Sequence, residues 1–385
     1  MTRLKILKKL NAIPLTAKLL AFYDEPVNYR FDEFLAELYE YGGETALLKT
    51  VGDLVLYDEN PFSRAAAAGK SSVFLRSAFA EDVKTLFSAA EKAEERSGGK
   101  YFCSGERNEH FSADPEKDAL RLEGFYRRYG YGDYVRYGAF LFKDGNIAPI
   151  ENAPDIRLSD LKDYEEEKRL IAANIENLIA GLPALDMLLY GERGTGKSST
   201  VHAMANEYFA EGLRIVELSK EQLLSLPLLK EKLGAVPLKF IIYIDDLSLT
   251  EGDERFTSLK AALEGSFGVK GKNTIVCATS NRRHIVKESF SDRRDSIHEN
   301  ECMQEQLSLS DRFGLTVLFS STNKAQYLSI VNQLADDCGL KTPREELFRL
   351  AEQWAISKGG RSPRRARQFI DSAYAAEQRK MALEF

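Results

Sequence analysis

The 385-residue sequence has little of what builds disulfide frameworks or transition-metal sites. Its four cysteines, Cys103, Cys277, Cys302 and Cys338, lie far apart, and its four histidines show no metal-ligand spacing. A zinc site and a disulfide scaffold are therefore not expected, and neither is any metal other than Mg²⁺. A reducing cytoplasm is the expected location.

Long apolar runs are also missing. No stretch approaches the ~20 residues of a membrane span, and the basic N-terminus has no apolar signal core. The formal net charge is only −6, so nothing attracts nucleic acid globally, and such binding would need a local basic face. The length and a 44% hydrophobic content predict a soluble protein of two or three domains with no membrane partner.

What the sequence does contain is a complete phosphate-binding loop, with the pattern Gly-x-x-x-x-Gly-Lys-Ser/Thr. Apolar residues 188–190 precede it as a predicted strand, and Ser199–Phe209 follow it as a predicted helix. Its glycines let backbone N–H groups turn inward, and the helix N-terminus adds partial positive charge where phosphates would lie. The predicted nucleotide-contacting residues are Gly191, Glu192, Arg193, Gly194, Thr195, Gly196, Lys197, Ser198 and Ser199. Lys197 would reach the outer phosphates, and Ser198 would offer its hydroxyl to Mg²⁺.

Polar residues follow two further apolar runs. The run 240–244 ends in Asp245 and Asp246, where Mg²⁺ and an attacking water need negative charge. We assign Asp245 to Mg²⁺, directly or through water, and Asp246 to orienting or deprotonating the water. The run 273–278 leads to Asn281, whose amide could bind both a γ-phosphate oxygen and that water.

Outside this site the sequence predicts four regions. Residues 1–95 read as a helical N-terminal domain, and residues 96–155 as a connecting region that ends in a hairpin around Asp144-Gly145. Residues 156–321 alternate strands and helices, which predicts a parallel sheet, and residues 322–385 read as a helical lid. A capping box is predicted at Thr342–Glu345, and another helix start at Ser362-Pro363.

Within the connecting region, Gly124–Gly138 interleaves aromatic residues with arginines. Aromatic faces with arginines between them can stack single-stranded bases, but they can equally pack one domain on the next. Packing is favoured, because the stretch has neither a repeat nor a nucleic-acid-binding motif. A second candidate for nucleic-acid contact is the group of arginines Arg282, Arg283, Arg293 and Arg294.

The order of these parts, over roughly residues 156–375, resembles the AAA+ ATPases. The runs Asp245–Ser248, Ala278–His284 and Ser308–Gly314 are similar to one bacterial branch known as a domain of unknown function. The resemblance implies an α/β P-loop NTPase core with a parallel sheet, a C-terminal helical lid and a mostly helical N-terminal region. It also implies ATP with Mg²⁺, bound between subunits of a homo-oligomeric ring or arc.

The resemblance further implies a role for each matching residue. Lys197 and Ser198 belong to Walker A, Asp245 and Asp246 to Walker B, and Asn281 is the first sensor. Arg312 would be the arginine finger that acts on the neighbouring subunit's nucleotide, and Arg364 in the lid the second sensor. A delocalised, always-charged guanidinium suits the developing γ-phosphoryl charge. A surface salt bridge is the alternative for Arg312, and a solvated helix start for Arg364.

Two departures from the family pattern bear on function. The second Walker B acid is usually Glu, so the shorter Asp246 suggests slow hydrolysis or a switch-like cycle, unless Glu251 or Glu254 helps. No aromatic pore loop lies within residues 219–239, and Phe267-Gly268-Val269 falls on a different loop, which argues against a threading unfoldase.

The sequence therefore predicts a cytoplasmic ATPase that remodels or loads a protein or nucleic-acid partner recognised by residues 1–150. The second hypothesis is a nucleotide-gated assembly switch with little hydrolysis. A small-molecule P-loop kinase is a third, although Arg312 and the lid would have no obvious role in it.

Overall fold

The computed structural model describes residues 2–42, 46–98, 100–101, 107–250, 255, 258–260, 263, 273–281, 286–287 and 312–379. The chain forms two compact units. The first comprises residues 1–137 with 235–238, and the second comprises residues 138–234 with 239–385. No helix of the described ranges is long and apolar enough to cross a membrane. The domain boundaries at 95, 155 and 321 stay predictions.

The first unit is helical, as expected from its 3.6-residue apolar periodicity. Its helices are Lys8–Ala12 (3₁₀), Pro14–Asp24, Asn28–Glu40, Leu47–Leu56, Pro61–Ala67, Val73–Ser97, Pro115–Tyr129 and Asp133–Arg136. Asp82 is buried among them, and its carboxylate accepts hydrogen bonds from the backbone N–H groups of Lys5, Ile6 and Leu7 at 2.6–3.0 Å. This carboxylate fixes the N-terminal segment to the long helix Val73–Ser97.

The aromatic and arginine stretch contributes to this unit's core. Tyr126 is fully buried, and its hydroxyl donates to the carbonyl of Leu56 at 3.0 Å. Phe125 packs on the Tyr126 ring with centroids 5.6 Å apart. The guanidinium of Arg136 lies 5.3 Å from the Tyr57 ring. All of these contacts lie within the first unit, so the expectation that the stretch packs one domain on the next stays a prediction.

The second unit is built on a seven-stranded sheet of order β2-β1-β4-β5-β7-β3-β9. All pairs in it are parallel except β1 with β2. The strands are β1 (Ala139–Lys143), β2 (Asn146–Pro149), β3 (Met187–Gly191), β4 (Leu213–Glu217), β5 (Lys239–Ile244), β7 (Thr274–Ser280) and β9 (Leu315–Phe319). Two short strands, β6 (Leu249–Thr250) and β8 (Val286–Lys287), pair separately. The α/β core with a helical N-terminal region and C-terminal helices is confirmed.

The predicted hairpin is also confirmed. Asp144 and Gly145 join β1 to β2 with φ values of 50° and 79°, as a two-residue turn of this type requires. No local pattern indicates that β1 pairs in parallel with β4, where Ala139 lies opposite Ile215. The hairpin therefore extends the central sheet.

Helices flank the sheet and follow its last strand. They are Leu158–Asp160 (3₁₀), Glu165–Ile179, Lys197–Glu207, Phe209–Glu211 (3₁₀), Lys220–Ser225 (3₁₀), Leu226–Gly234, Lys324–Asp337, Arg344–Ser357 and Pro363–Arg379. The capping box predicted at Thr342 is wrong. Pro343, not Thr342, is the N-cap, and a proline side chain has no atom that could accept a backbone N–H. Thr342 lies one residue earlier, and its hydroxyl donates to Glu377 at 3.0 Å.

Candidate nucleotide-binding site

The phosphate loop connects β3 to the helix Lys197–Glu207, and its shape depends on glycine. Gly191, Gly194 and Gly196 have φ values of 137°, 81° and 97°, which side-chain-bearing residues rarely adopt. A Cβ on Gly191 would lie 2.0 Å from the carbonyl oxygen of Phe319 on β9. The close pairing of β3 with β9 therefore allows only glycine where the loop begins.

Lys197 is the first residue of the helix after the loop, and it is 7% exposed. Its ammonium donates to the carbonyls of Gly191 at 2.8 Å and Glu192 at 2.7 Å. Burial lowers the pKa of Lys197, while Asp245 and Asp246 act in the opposite direction. The loop's own carbonyls thus hold a partly desolvated cation that phosphate oxygens would attract more strongly.

Asp245 follows β5, and its carboxylate accepts hydrogen bonds from three hydroxyl groups. Its Oδ1 accepts hydrogen bonds from Ser198 at 2.9 Å, Tyr243 at 2.7 Å and Thr279 at 2.6 Å. Partial burial alone would raise the pKa of Asp245, but the hydrogen bonds from Thr279, Tyr243 and Ser198 outweigh it and lower that pKa. Burial raises the pKa of Tyr243, so its phenol stays protonated and remains a donor. Asp245 is therefore a carboxylate at neutral pH.

Asp246 adopts left-handed backbone geometry with a φ of 45°. Its N–H donates to the Thr279 hydroxyl at 2.9 Å, and its Oδ1 accepts from the Asn281 amide at 2.6 Å. The second acid and the predicted sensor amide are therefore in direct contact at the carboxyl ends of β5 and β7.

The loop and these strand ends line a cavity of 570 Å³, which is within the range that small-molecule sites occupy. Its polar lining residues include Arg193, Lys197, Ser198, Asp245, Asp246, Asn281, Arg364 and Arg367. Its less polar lining residues include Ile156, Leu161, Tyr164, Ile330, Leu334 and Pro363. The backbone N–H of Arg364 donates to the carbonyl of Gly194 at 3.1 Å. The final helix thus begins directly on the phosphate loop.

Most of the residues predicted for the site line this one cavity. Gly194, Thr195, Gly196 and Ser199 do so together with the polar residues just named, whereas Gly191 and Glu192 approach it through the carbonyls that hold Lys197. Arg312 does not line it; this residue lies shortly before β9.

The metal end of the cavity offers only oxygen ligands. The Ser198 hydroxyl and the Asp245 carboxylate are 2.9 Å apart and both line the cavity. Mg²⁺ prefers oxygen and usually binds through one or two carboxylates together with substrate phosphates and water. No cluster of three or more His, Cys, Asp or Glu side chains suited to a metal occurs in the described parts of the chain. The donor set therefore fits Mg²⁺ brought with a nucleotide.

Sequence reasoning missed several residues of the site. No role in the site is predicted for Tyr243, which lies inside an apolar run, for Thr279, which follows one, or for Arg367 in the final helix. The stretch from Asp155 to Tyr164 also lines the cavity, and the Asn206 side chain holds it by donating to the carbonyls of Pro154 and Ile156. A polar residue one or two positions from a strand's carboxyl end is the signal that could have identified Tyr243 and Thr279.

Several predicted candidates lie outside the described residues. They are Glu251, Glu254, Phe267-Gly268-Val269, Arg282, Arg283, Arg293 and Arg294.

Comparison with known proteins gives one family match. A family model described as "Protein of unknown function (DUF815)" matches residues 135–377. No curated protein matches the chain. Among solved structures, the Thermotoga maritima RuvB Holliday junction branch migration motor aligns over 60% of this chain and 69% of its own, with 15% identity and a TM-score of 0.42. A variant of that protein gives 17% identity, the same coverage and the same TM-score.

Proposed function

The chain belongs to the DUF815 family, and from this premise we propose that it is an AAA+ P-loop ATPase that binds ATP with Mg²⁺ and hydrolyses ATP to ADP and phosphate. The proposal includes a cytoplasmic location and the use of hydrolysis to remodel or load a macromolecular partner through residues 1–150. A homo-oligomeric ring or arc would be the working form.

One observation carries the proposal. A single cavity is lined by the phosphate-loop lysine and serine, two carboxylates, an amide and lid arginines. This is the set that phosphoryl transfer requires, because its catalysis is mainly positioning and charge stabilisation. The 570 Å³ volume and the less polar wall formed by Ile156, Ile330 and Leu334 suit a nucleoside as well as its phosphates.

Each residue has a defined task in the proposed reaction. Lys197 would leave the carbonyls of Gly191 and Glu192 to pair with the outer phosphates. Asp246 and Asn281 would orient a water in line with the γ-phosphorus, and Asp246 would accept its proton as the bond to the bridging oxygen breaks. Bound Mg²⁺ would neutralise charge on the β- and γ-phosphate oxygens.

Arg312 would complete the site of a neighbouring subunit. Its position outside its own chain's cavity supports a role in trans. A guanidinium so placed would stabilise charge that develops on the transferring group. Arg364, which begins the final helix next to Gly194, would contact the nucleotide in cis.

The test is phosphate release per subunit over a range of protein concentrations, together with ATP binding. Turnover should rise with concentration and vanish in Lys197→Ala. The variant Arg312→Ala should lose about 1,000-fold in turnover and still bind ATP. Arg169→Ala removes an exposed guanidinium paired with Glu166 in the same unit, and it should behave like wild type. Wild-type protein that neither binds nor hydrolyses ATP would refute the proposal, and unchanged turnover in Arg312→Ala would refute the trans role.

A specific contact favours a second function, a nucleotide-gated assembly switch. The Asp246 carboxylate accepts a hydrogen bond from the Asn281 amide at 2.6 Å, so the proposed base is already hydrogen-bonded to the proposed sensor. Asp246 is also one methylene shorter than the usual Glu. A switch would bind ATP and change its oligomeric state while turnover stays very low with or without partners. Sedimentation with ATP and with a non-hydrolysable analogue would separate the two functions. An ATPase would lose the ATP-induced assembly as ATP is consumed but keep the assembly induced by the analogue, whereas a switch would keep both.

A further inference from the structure

Two buried hydroxyls, one of them from the cavity-lining Thr279, donate to the same oxygen of Asp245. Tyr243 on β5 and Thr279 on β7 are each 2% exposed, and both donate to Oδ1 of Asp245, at 2.7 and 2.6 Å. Asp245 itself is accessible from the cavity. The donors are thus fixed in the sheet while their acceptor faces the ligand.

We propose that Tyr243 and Thr279 are positioning residues that set the orientation of Asp245 for Mg²⁺-nucleotide before either ligand arrives. The inference rests on the proposed function and concerns the same site. A carboxylate at the end of a strand rotates easily, because its terminal torsion has broad minima. Two hydroxyls anchored on neighbouring strands remove that freedom during folding. Groups that hold a metal ligand in this way typically govern metal affinity.

The Tyr243 hydroxyl is itself held in place. The His202 ring lies edge-on to the Tyr243 ring with centroids 5.4 Å apart, and its Nε2 is 3.5 Å from Oε1 of Glu217 at the end of β4. Tyr243 is therefore packed between the phosphate-loop helix and the sheet. Its hydroxyl has little freedom to follow a misplaced Asp245.

Thr279 has a second contact that Tyr243 lacks. Its Oγ1 accepts the N–H of Asp246 at 2.9 Å while donating to Asp245. Asp246 needs this support, because its φ of 45° is unfavourable for a residue with a side chain. One hydroxyl thus links the proposed metal ligand to the proposed base. Losing Tyr243's hydroxyl should disturb only the metal requirement, and losing Thr279's should disturb both metal binding and turnover.

The experiment titrates Mg²⁺ against full-length protein with a fluorescent ATP analogue and measures binding, with phosphate release as a second readout. In Tyr243→Phe, the Mg²⁺ concentration for half-maximal binding should rise about 10-fold, while binding without Mg²⁺ and turnover at saturating Mg²⁺ stay near wild type. Thr279→Val should show a similar rise together with a turnover that saturating Mg²⁺ does not restore. Thr279→Ser, which keeps the hydroxyl, should recover both.

Matched controls exist in the same unit. Tyr208→Phe removes a phenol that does not line the cavity and that donates a 2.7 Å hydrogen bond to Glu176. Thr274→Val removes a hydroxyl at the other end of β7, and this hydroxyl makes no hydrogen bond among the described residues. Neither should move the Mg²⁺ requirement. Wild-type protein with no Mg²⁺-dependent binding would refute the proposed function instead. Normal wild-type behaviour with an unchanged Mg²⁺ requirement in Tyr243→Phe would overturn the inference, even if stability fell or Thr279→Val failed to fold.

Discussion

Asp82 in the first unit and Asp245 in the second both accept three hydrogen bonds, but from different donors. Asp82 is 3% exposed, and its donors are backbone N–H groups of residues 5–7. Asp245 faces a cavity, and its donors are the hydroxyls of Ser198, Tyr243 and Thr279. The donors of Asp82 tie it to the N-terminal segment of its own unit, whereas the hydroxyl donors of Asp245 leave its carboxylate at a cavity that a ligand could enter. The first arrangement stabilises a fold, and the second prepares a site.

Asp118 of the first unit shares only part of the Asp82 pattern, because its donors include a hydroxyl and the Arg121 guanidinium, at 2.7 Å, besides one backbone N–H. Asp118 is 1% exposed and accepts from both the N–H and the hydroxyl of Ser112, at 2.8 and 2.6 Å. A carboxylate satisfied by the adjoining chain has no reason to bind an outside partner. What separates Asp245 from Asp82 and Asp118 is that Asp245 lines the cavity and the other two acids do not.

The largest effect should come from breaking the structural arrangement. Asp82→Asn places an amide NH₂ against N–H donors, and it should lower the free energy of unfolding by about 3 kcal/mol. Chemical denaturation would measure this, with Asp32→Asn as the exposed control, for which a change within about 0.5 kcal/mol is expected. Mg²⁺-dependent ATP binding should persist at temperatures where the variant is folded. Unchanged stability would mean that Asp82 and Asp245 do not differ as described.

Removing the charge of Asp245 should have a smaller effect, and this effect should fall on Mg²⁺-dependent ATP binding instead of stability. Asp245→Asn keeps an oxygen for the three hydroxyls but loses the charge that Mg²⁺ needs, so Mg²⁺-dependent ATP binding should weaken about 10- to 100-fold. The free energy of unfolding should change less than in Asp82→Asn. Calorimetric titration and denaturation of the same two proteins complete the comparison. If Asp245→Asn lost stability and kept its Mg²⁺-dependent ATP binding, Asp245 would be the structural acid and not the functional one.

The smallest effect concerns pH and Lys197. Burial holds the pKa of this lysine below 10.5 in the free protein, and phosphate would favour its charged form. At a pH above the pKa of Lys197 in the free protein, ATP binding should be coupled to protonation of this lysine. The affinity for ATP should therefore fall as the pH rises through that pKa, and it should stay constant below it. The fall should be less than about 10-fold per pH unit. Dissociation constants from pH 7 to 10 would measure it.

Lys197→Arg is the control for this pH dependence. Its guanidinium stays charged over the whole range, so its affinity should not vary with pH, whatever its absolute value. A wild-type affinity that rises with pH would contradict the role of Lys197.

Local patterns were the predictable part of this molecule. The predicted strand 188–190 is β3, Met187–Gly191, and the predicted helix Ser199–Phe209 is Lys197–Glu207. The phosphate loop fixes both, because its glycine spacing and flanking elements are contiguous in sequence. Asp245 and Asn281 could be placed at one sheet edge because parallel strands share their carboxyl edge.

What could not be predicted depends on partners far along the chain. The pairing of β1 with β4 brings Ala139 opposite Ile215, and no local residue signals it. Tyr243 resembles an ordinary core tyrosine until Asp245 and His202 are seen beside it. The capping box at Thr342 failed because the helix begins at Arg344 with Pro343 as its N-cap, while Thr342 contacts Glu377 on the final helix.

The contact between Arg364 and Gly194 has a mechanical consequence. The final helix has 17 residues, so it forms a rigid arm about 25 Å long that starts at the loop. If the helix turned by about 10° about the 3.1 Å hydrogen bond to Gly194, its far end would move by about 4 Å. Because Ala366, Phe369 and Ile370 share a buried core with the two preceding helices, such a tilt would have to move the three C-terminal helices together.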